Sequence, residues 1–541
     1  MIGREELEVE RAARRRLAAD PELGAGNALR RVLEVSARPD APFVVAERPL
    51  PGLHGPAAEL SLAEVDALAQ AWSCWHLDHG IGRRDRVAVY LDESFEYLLH
   101  FFALTQIGAI PVLINGRMAA DTAAAHAART GAAGVVTDRA HAGPVREHLA
   151  ASGRRPWVDV GAEVRLEPRP LPERSRHRHA AEDPILICHS SGTTGVPKPV
   201  IWTHGQAVAG FRHQVARAAR HEETLLLALP QSHAAAVAFT TLSLLAGHRL
   251  ALPAGFDGAS VVRAIARLRP TMAVAFAGTF AEVATLDANA DDLASMQTWI
   301  SIGDAAHQAH VGRLVRCGRH RSGERSLPGS IFVDGFGSSE LGWGIFSHAT
   351  VAGRASADRC LGTPQAFARA AVLRDDGSEA RPGEVGMLAV QGPTVSPGYW
   401  GDSDLTYRSK LRGYWLSGDL VYRDEHDRFY HVDRTTDAIP VAGGVAYSLL
   451  MEELLLARLP ELLDCTVVAG QGGPAGIART GRPDADPEAL LRRANDVLRK
   501  GGHPPLATLQ IARSDGDIPI GVTRKVLKRQ LREQQGGNAH A

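Results

Sequence analysis

The 541-residue chain is 45% hydrophobic, enough to bury a large core and to expect two or more folding units. Its 60 Lys and Arg balance 61 Asp and Glu, which excludes the charge excess of nucleic-acid or membrane-surface partners and leaves small metabolites as the natural ligands. Five scattered cysteines without a CxxC pair or a His cluster at zinc spacing, a charged N-terminal stretch and no apolar run long enough to span a bilayer give the expectation of a reduced, cytoplasmic, non-membrane protein.

Short β-branched runs alternate with Ala/Leu-rich helical stretches, the pattern of an α/β protein with largely parallel sheets. The spacing predicts a strand over 86–91, a helix over 95–107, strands over 110–114 and 134–137, and a buried strand over 185–188. Beyond residue 383 the texture changes to short alternating strands with Gly/Pro turns, a β-rich subdomain closing the large unit. After Asp437 a helix over 448–459, a strand over 464–469 and helices over 487–500 and 525–532 predict a small α+β unit.

The densest chemical signal follows the predicted strand 185–188. It is His189-Ser190-Ser191-Gly192-Thr193-Thr194-Gly195-Val196-Pro197-Lys198. Hydroxyl residues interleaved with two glycines leave backbone N–H groups accessible and add donors, so the segment can wrap a polyphosphate. It lacks the Gly-Lys-Ser/Thr ending of a Walker A loop.

This loop resembles the (S/T)SGTTGxPKG signature of the adenylate-forming superfamily, which includes acyl-CoA synthetases, adenylation domains and luciferases; Pro199 replaces the last glycine. An ordered series supports the resemblance: Phe336-Gly337-Ser338-Ser339-Glu340, Gly383-Glu384-Val385-Gly386, Pro397-Gly398-Tyr399-Trp400, Tyr414-Trp415-Leu416-Ser417-Gly418-Asp419, Asp433-Arg434-Thr435-Thr436-Asp437 and the region of Lys525. The resemblance implies a large AMP-binding N-terminal domain over 1–434, built of two α/β sheets and a small β subdomain. It also implies a small, mobile α+β lid over 435–541 carrying the catalytic lysine.

The implied cofactors are ATP and Mg2+, with CoA possible. Ser190, Ser191, Gly192, Thr193, Thr194, Gly195 and Lys198 would hold the phosphates, with Gly337, Ser338 and Ser339 beside the nucleotide. Glu340 and Thr194 would serve the metal, a hard cation that takes oxygen ligands. Asp419 has two acceptor oxygens suited to the ribose hydroxyls, and Arg434 would contact the ribose or phosphate side. Lys525 would bridge the attacking oxyanion and the α-phosphate, and Arg524 stands where the family has glycine. Lys528 and Arg529 read as a solvated basic face. His233 matches the gate beside the acid pocket, with a helix-capping histidine as the alternative. Phe276, Gly278, Gly303, Asp304, Gly337 and Trp343 complete the substrate-pocket set with His233.

Relatives that activate α-amino acids carry an aspartate where this chain has Ala234, and an unpaired buried ammonium would cost several kcal/mol. A carboxylic acid without a cationic amino group, aromatic or short-chain, is the expected substrate. Gly443-Gly444 keeps the glycines that line a pantetheine tunnel, but Val445-Ala446-Tyr447-Ser448 departs from the usual ending and Thr436 replaces the charged hinge residue. Three acceptor readings stand: CoA or the thiol of a carrier protein acting in trans; a non-thiol nucleophile, as in ATP-dependent diazotases that activate nitrite for an aryl amine; or nucleotide binding without turnover.

Overall fold

The computed structural model describes residues 4–53, 55–153, 156–190, 197–215, 223–323, 325–353, 359–482, 484–521 and 525–536. One eight-stranded sheet runs in the order Phe346–Val351, Ile331–Phe336, Thr298–Ile302, Met272–Phe276, Thr224–Ala228, Arg249–Leu252, Pro42–Leu50 and Ala57–Ser61. It is parallel except at its two edges. A six-stranded sheet runs Trp157–Val160, Gly134–Thr137, Arg86–Leu91, Ile110–Asn115, Pro184–Ser190 and Lys198–Thr203, parallel except for its last hairpin. Inner strands such as IPVLIN and TLLLA are buried at every position. That is the consequence of helices covering both faces, which removes the in–out alternation of a half-exposed strand.

Helices Leu62–Asp78, Glu96–Gln106 and Ala234–Ala246 fill the space between the sheets, where Trp72, Phe102, Val237, Leu186 and Leu227 share one apolar cluster. The 234–246 helix is apolar almost all round because it is enclosed all round. Helices Gly258–Leu268, Ala277–Thr285 and Gln308–Leu314 cover the outer face of the first sheet; Ala120–Thr130 and Arg139–Ala151 cover that of the second. An antiparallel sheet (Cys360–Gly362, Phe429–Arg434, Tyr414–Arg423, Gly386–Gln391, Arg369–Leu373) accounts for the predicted change of texture. Towards the C-terminus, Met451, Leu455, Val467, Leu490 and Leu498 form a separate apolar cluster. It lies between helices Ser448–Arg458 and Pro487–Lys500 and the sheet of Leu462–Gly470, Gly473–Thr480 and Thr508–Ile511. The chain is α/β with several mixed sheets and, among the described residues, sixteen α-helices. None of those helices is long and apolar enough to cross a membrane.

Three expectations need correction. The final helix starts at Lys528, not Lys525, which lies outside any helix just before Val526 of an Ile520–Val526 bridge. Lys528 is not solvated: its Nζ donates to Ser448 Oγ and Glu452 Oε1, both at 2.8 Å, with side-chain exposures of 15% and 4% for Lys528 and Glu452. Arg529 is exposed, as expected. Finally, a histidine group does assemble: His177, His179 and Asp183 place ligand-type atoms within 4.8 Å of one another. His177 Nε2 bonds Asp183 at 2.9 Å within the segment, and His179 Nε2 bonds the Thr105 carbonyl at 2.9 Å, which fastens it to the neighbouring helix.

Candidate active site

In parallel sheets the segments after the carboxyl ends of the strands make the ligand crevice. Here Phe276 ends one strand, Gly303 and Asp304 follow another, Gly337 to Glu340 follow a third, and His233 lies just beyond a fourth. The carboxyl ends of the two sheets meet: Asn115 Nδ2 donates to Ser232 Oγ at 3.1 Å, and the Asn115 N–H donates to His189 Nε2 at 3.3 Å. Ser190 closes its strand opposite Lys198. Ser191, Gly192, Thr193, Thr194 and Gly195 lie outside the described residues, as does Arg524.

Lys525 enters this crevice from the C-terminal segment, its carbonyl accepting from the Gly521 N–H at 2.8 Å. Gly303 adopts φ +81°, and a β-carbon there would stand 2.8 Å from Phe276 Cδ1 and 3.7 Å from Lys525 Cε, so only glycine fits without displacement. Burial lowers the Lys525 ammonium below the usual lysine range; Asp304 pulls it back and Arg434 adds to the lowering. For Asp304, burial pushes up, but Lys525 and the Ala305 N–H at 2.9 Å outweigh it and the carboxyl ends below its ordinary value.

His233 is both a cap and a crevice residue. Its Nδ1 accepts from the Ala235 N–H at 3.1 Å at the start of the 234–246 helix, so the ring proton resides on Nε2. The ring meets Phe276 edge to face at 5.2 Å. Burial, then His189 and Lys525, push its pKa down to about 3, so the imidazole is neutral at physiological pH.

Asp419 and Arg434 are cross-strand partners, with Arg434 Nε 3.3 Å and His431 Nε2 3.7 Å from Asp419 Oδ1. Burial pushes the Asp419 carboxyl up, and Arg434 and His431 outweigh it, leaving the group below the usual range. Glu340 is half-buried; its Oε1 accepts from the Tyr399 hydroxyl at 3.1 Å, and its carbonyl from the Ser396 N–H at 2.8 Å. The Lys198 ammonium lies 5.7 Å from the Tyr399 ring centre. Ser339 is fixed through its carbonyl by Trp202 Nε1 at 2.8 Å, whereas Ser338 is exposed.

Gly337 packs against backbone, a β-carbon there standing 3.1 Å from the Trp343 carbonyl. Trp343 packs between Phe211 and Phe239, at 4.8 and 5.1 Å, and Gly278 lies in the first turn of the 277–285 helix. The structure thus unites Lys525, Gly303, Asp304, Phe276 and His233, pairs Asp419 with Arg434, and places Trp343 in an aromatic group of its own.

Four residues were missed in the sequence reading. Tyr399 links Lys198 to Glu340, although its motif was noticed. His431 approaches Asp419, and Arg359 bonds His431, both from outside any motif. Asp334, with Ala306, Gln308 and Arg359, lines a small cavity; burial, chiefly, pushes its carboxyl up to about 7. Its signal was a charge inside the apolar run IFVDGF.

Residues 33–400 match the model of the AMP-binding enzyme family. The chain belongs to that family. It is an adenylate-forming enzyme. A 3-aminoavenalumate diazotase from Streptomyces sp is 40% identical, covering 97% of this chain and 98% of the relative. A 3-amino-2-hydroxy-4-methoxybenzoate diazotase from Streptomyces cremeus is 28% identical over 84% of this chain and 85% of its own. Among solved structures, an anthranilate CoA ligase in complex with anthranoyl-AMP superposes with a TM-score of 0.82 at 18% identity, over 95% of this AMP-binding enzyme and 97% of that chain.

Proposed function

We propose that this enzyme is an ATP-dependent diazotase, adenylating nitrite and delivering the activated nitroso group to an aryl amine. The observation that carries the reading is the 40% identity, over nearly the whole of both chains, to the 3-aminoavenalumate diazotase. The crevice is compatible with it. An aryl amine is weakly basic and uncharged at neutral pH, so it needs no carboxylate at the position of Ala234, which is buried at the start of its helix.

In the proposed reaction a nitrite oxygen attacks the α-phosphorus of ATP and pyrophosphate leaves. The amine nitrogen then attacks the nitroso nitrogen, AMP departs with the bridging oxygen, and the attacking nitrogen gives up a proton. The resulting N-nitrosamine takes up a proton and loses water to give the diazonium ion. Lys525 places its ammonium between the attacking oxygen and the α-phosphate, where negative charge grows in the transition state. The neutral His233 presents its Nε2–H to the anionic reactant, and Phe276, Gly278, Gly303, Asp304, Gly337 and Trp343 bound the aryl ring. Asp419 takes the ribose hydroxyls and Arg434 the neighbouring phosphate side. Ser190 to Lys198 cradles the β- and γ-phosphates.

Glu340 fits a magnesium ion: Tyr399 occupies one carboxylate oxygen at 3.1 Å, which leaves the second for a hard cation. Glu340 and Thr194 would hold that ion, which screens the phosphate charge when bound. The small C-terminal unit over 435–541 acts as the lid that brings Lys525 in.

A second reading, an acid:thiol ligase using CoA or a carrier protein, is favoured by the exposed Gly443-Gly444 turn. Pyrophosphate release assayed over nitrite, aryl amines and aromatic acids, with and without CoA, separates the two. Release that requires nitrite, with an azo-coupling product once amine is added, is the expected result. Release driven by an acid and CoA, indifferent to nitrite, overturns the diazotase reading.

A further inference from the structure

We infer that His431, held by Arg359, is a positioning residue that aims the Asp419 carboxylate at the ribose of the nucleotide. The inference rests on the ribose reading of Asp419. It begins with the strand register. Asp419 lies opposite Arg434 and Leu420 opposite Asp433, but Val421 lies opposite His431, so a bulge leaves Val432 unopposed. Asp419 and Val421 share one face of their strand, and the bulge turns His431 onto that same face together with Arg434. Bulges re-aim side chains in this way.

Arg359 fixes the ring. Its Nη2 stands 2.9 Å from His431 Nδ1, and its carbonyl accepts from the His431 N–H at 3.0 Å. Both residues are buried, Arg359 in the left-handed region at φ +60°, where an arginine stays only if its surroundings hold it. A guanidinium only donates, so Nδ1 accepts and the ring hydrogen is on Nε2. That N–H is buried, has no hydrogen-bond partner among the described residues, and faces Asp419 Oδ1 at 3.7 Å. Phe336, edge on at 5.2 Å, limits rotation of the imidazole. Oδ1 is therefore flanked by two N–H groups, from His431 and from Arg434 at 3.3 Å. A carboxylate oriented through one oxygen can present the other to a vicinal diol. When the hydroxyls arrive, a small inward rotation of Asp419 closes 3.7 Å to a hydrogen bond and engages the waiting donor.

The test is calorimetric titration of the full-length enzyme with Mg2+ plus ATP or 3′-deoxy-ATP. His431→Phe keeps an aromatic ring and removes the donor; His431→Gln returns an N–H near the Nε2 position; Asp419→Asn reports on the ribose reading itself. We expect His431→Phe to weaken ATP about 5- to 10-fold, the scale of one lost ordinary hydrogen bond. 3′-Deoxy-ATP should weaken far less, so that discrimination between the two nucleotides shrinks, and His431→Gln should restore most of it. If Asp419→Asn abolishes the discrimination while His431→Phe leaves it intact, the positioning role is refuted and the ribose reading survives. If Asp419→Asn leaves the discrimination intact, the ribose reading itself is wrong. If His431→Phe weakens both nucleotides equally, or His431→Gln fails to recover the discrimination, His431 is only a packing residue and the inference falls.

Discussion

Lys525 reaches from one end of the chain to Gly303 in the middle of it, its Cε 3.7 Å from where a β-carbon on that glycine would stand. The ammonium is then among Asp304, Arg434 and Asp419, and under the proposed function it acts where charge develops during attack on the α-phosphorus. Lys525→Ala should slow pyrophosphate release roughly a hundredfold or more, about 2.7–4 kcal/mol, while the Kd for ATP changes little. Unchanged turnover would remove Lys525 from the mechanism.

Gly303→Ala tests the same contact from the other side. The residue adopts φ +81°, and the new methyl would stand 2.8 Å from Phe276 Cδ1. A left-handed alanine costs about 1–2 kcal/mol before any repacking, so the thermal midpoint should fall and adenylation should drop more than stability accounts for. A fully stable variant with normal turnover would show that Phe276 yields freely and does not shape the pocket.

Much of this arrangement was legible in the sequence because parallel strands buried on both faces read as unbroken apolar runs. Arg86–Leu91 and Gly134–Thr137 coincide with the predicted spans. Crevice residues were legible where they fall in motifs that resemble the family's, as Glu340 and His233 do, and the structure places them after the carboxyl ends of strands. What escaped depended on tertiary neighbours. Lys528 reads as a solvated face until Glu452 and Ser448 are seen beneath it. His431 lies in an ordinary strand whose facing only a bulge decides, and Asp334 looks like a charge in the wrong place until the cavity beside it is known.

Asp334 gives a pH dependence. Burial raises its carboxyl to about 7. A folded value above the unfolded one means the group favours folding fully below the unfolded pKa, with the benefit lost as pH rises through about 7. Asp334→Asn cannot ionise, so the variant should gain stability relative to the parent between pH 5 and 8, at up to about 1.4 kcal/mol per unit of pKa separation and less where water enters the cavity. Thermal midpoints of the two proteins across that range check it; parallel curves would mean Asp334 ionises normally.

The Lys528–Glu452 pair should behave as a buried ion pair. Removing one partner strands the other charge in a poor solvent, so Lys528→Ala or Glu452→Ala should cost about 3–5 kcal/mol. Replacing both with apolar residues should cost much less than the sum. Denaturant melts of the two single variants and the double variant decide; additive losses would mean the pair is screened by water.

The last prediction concerns the lid. Glu453 of the Ser448–Arg458 helix bonds His307 Nδ1 at 2.8 Å and the Gln308 N–H at 2.9 Å, while His310 Nε2 bonds the Leu463 carbonyl at 2.7 Å. These contacts join the C-terminal unit to the segment that follows Asp304, and so hold Lys525 over Gly303. At the proposed hinge, Asp433 accepts from the Ser448 N–H and Oγ, Arg434 faces Asp419, the Thr435 N–H donates to the Gly418 carbonyl at 3.0 Å and Arg532 pairs with Asp437 at 2.7 Å, contacts that turning of the lid has to break. Burial alone would lower His307, but Glu453 and Glu452 outweigh it and the imidazole is raised above its ordinary value. A raised histidine contributes its stabilisation below its unfolded pKa and loses it as pH rises through the folded one, so the latch should weaken towards alkaline pH. Trypsin cleavage after Arg434 reads the opening directly. Glu453→Ala should accelerate it at neutral pH and abolish its pH dependence, and Mg2+, ATP and the adenylated substrate should slow it in the parent protein. Cleavage that is equally slow in parent and variant, with and without ligands, would mean that the C-terminal unit does not turn about this hinge, and the thiol-acceptor reading, which needs the crevice reopened for a second substrate, would fall with it.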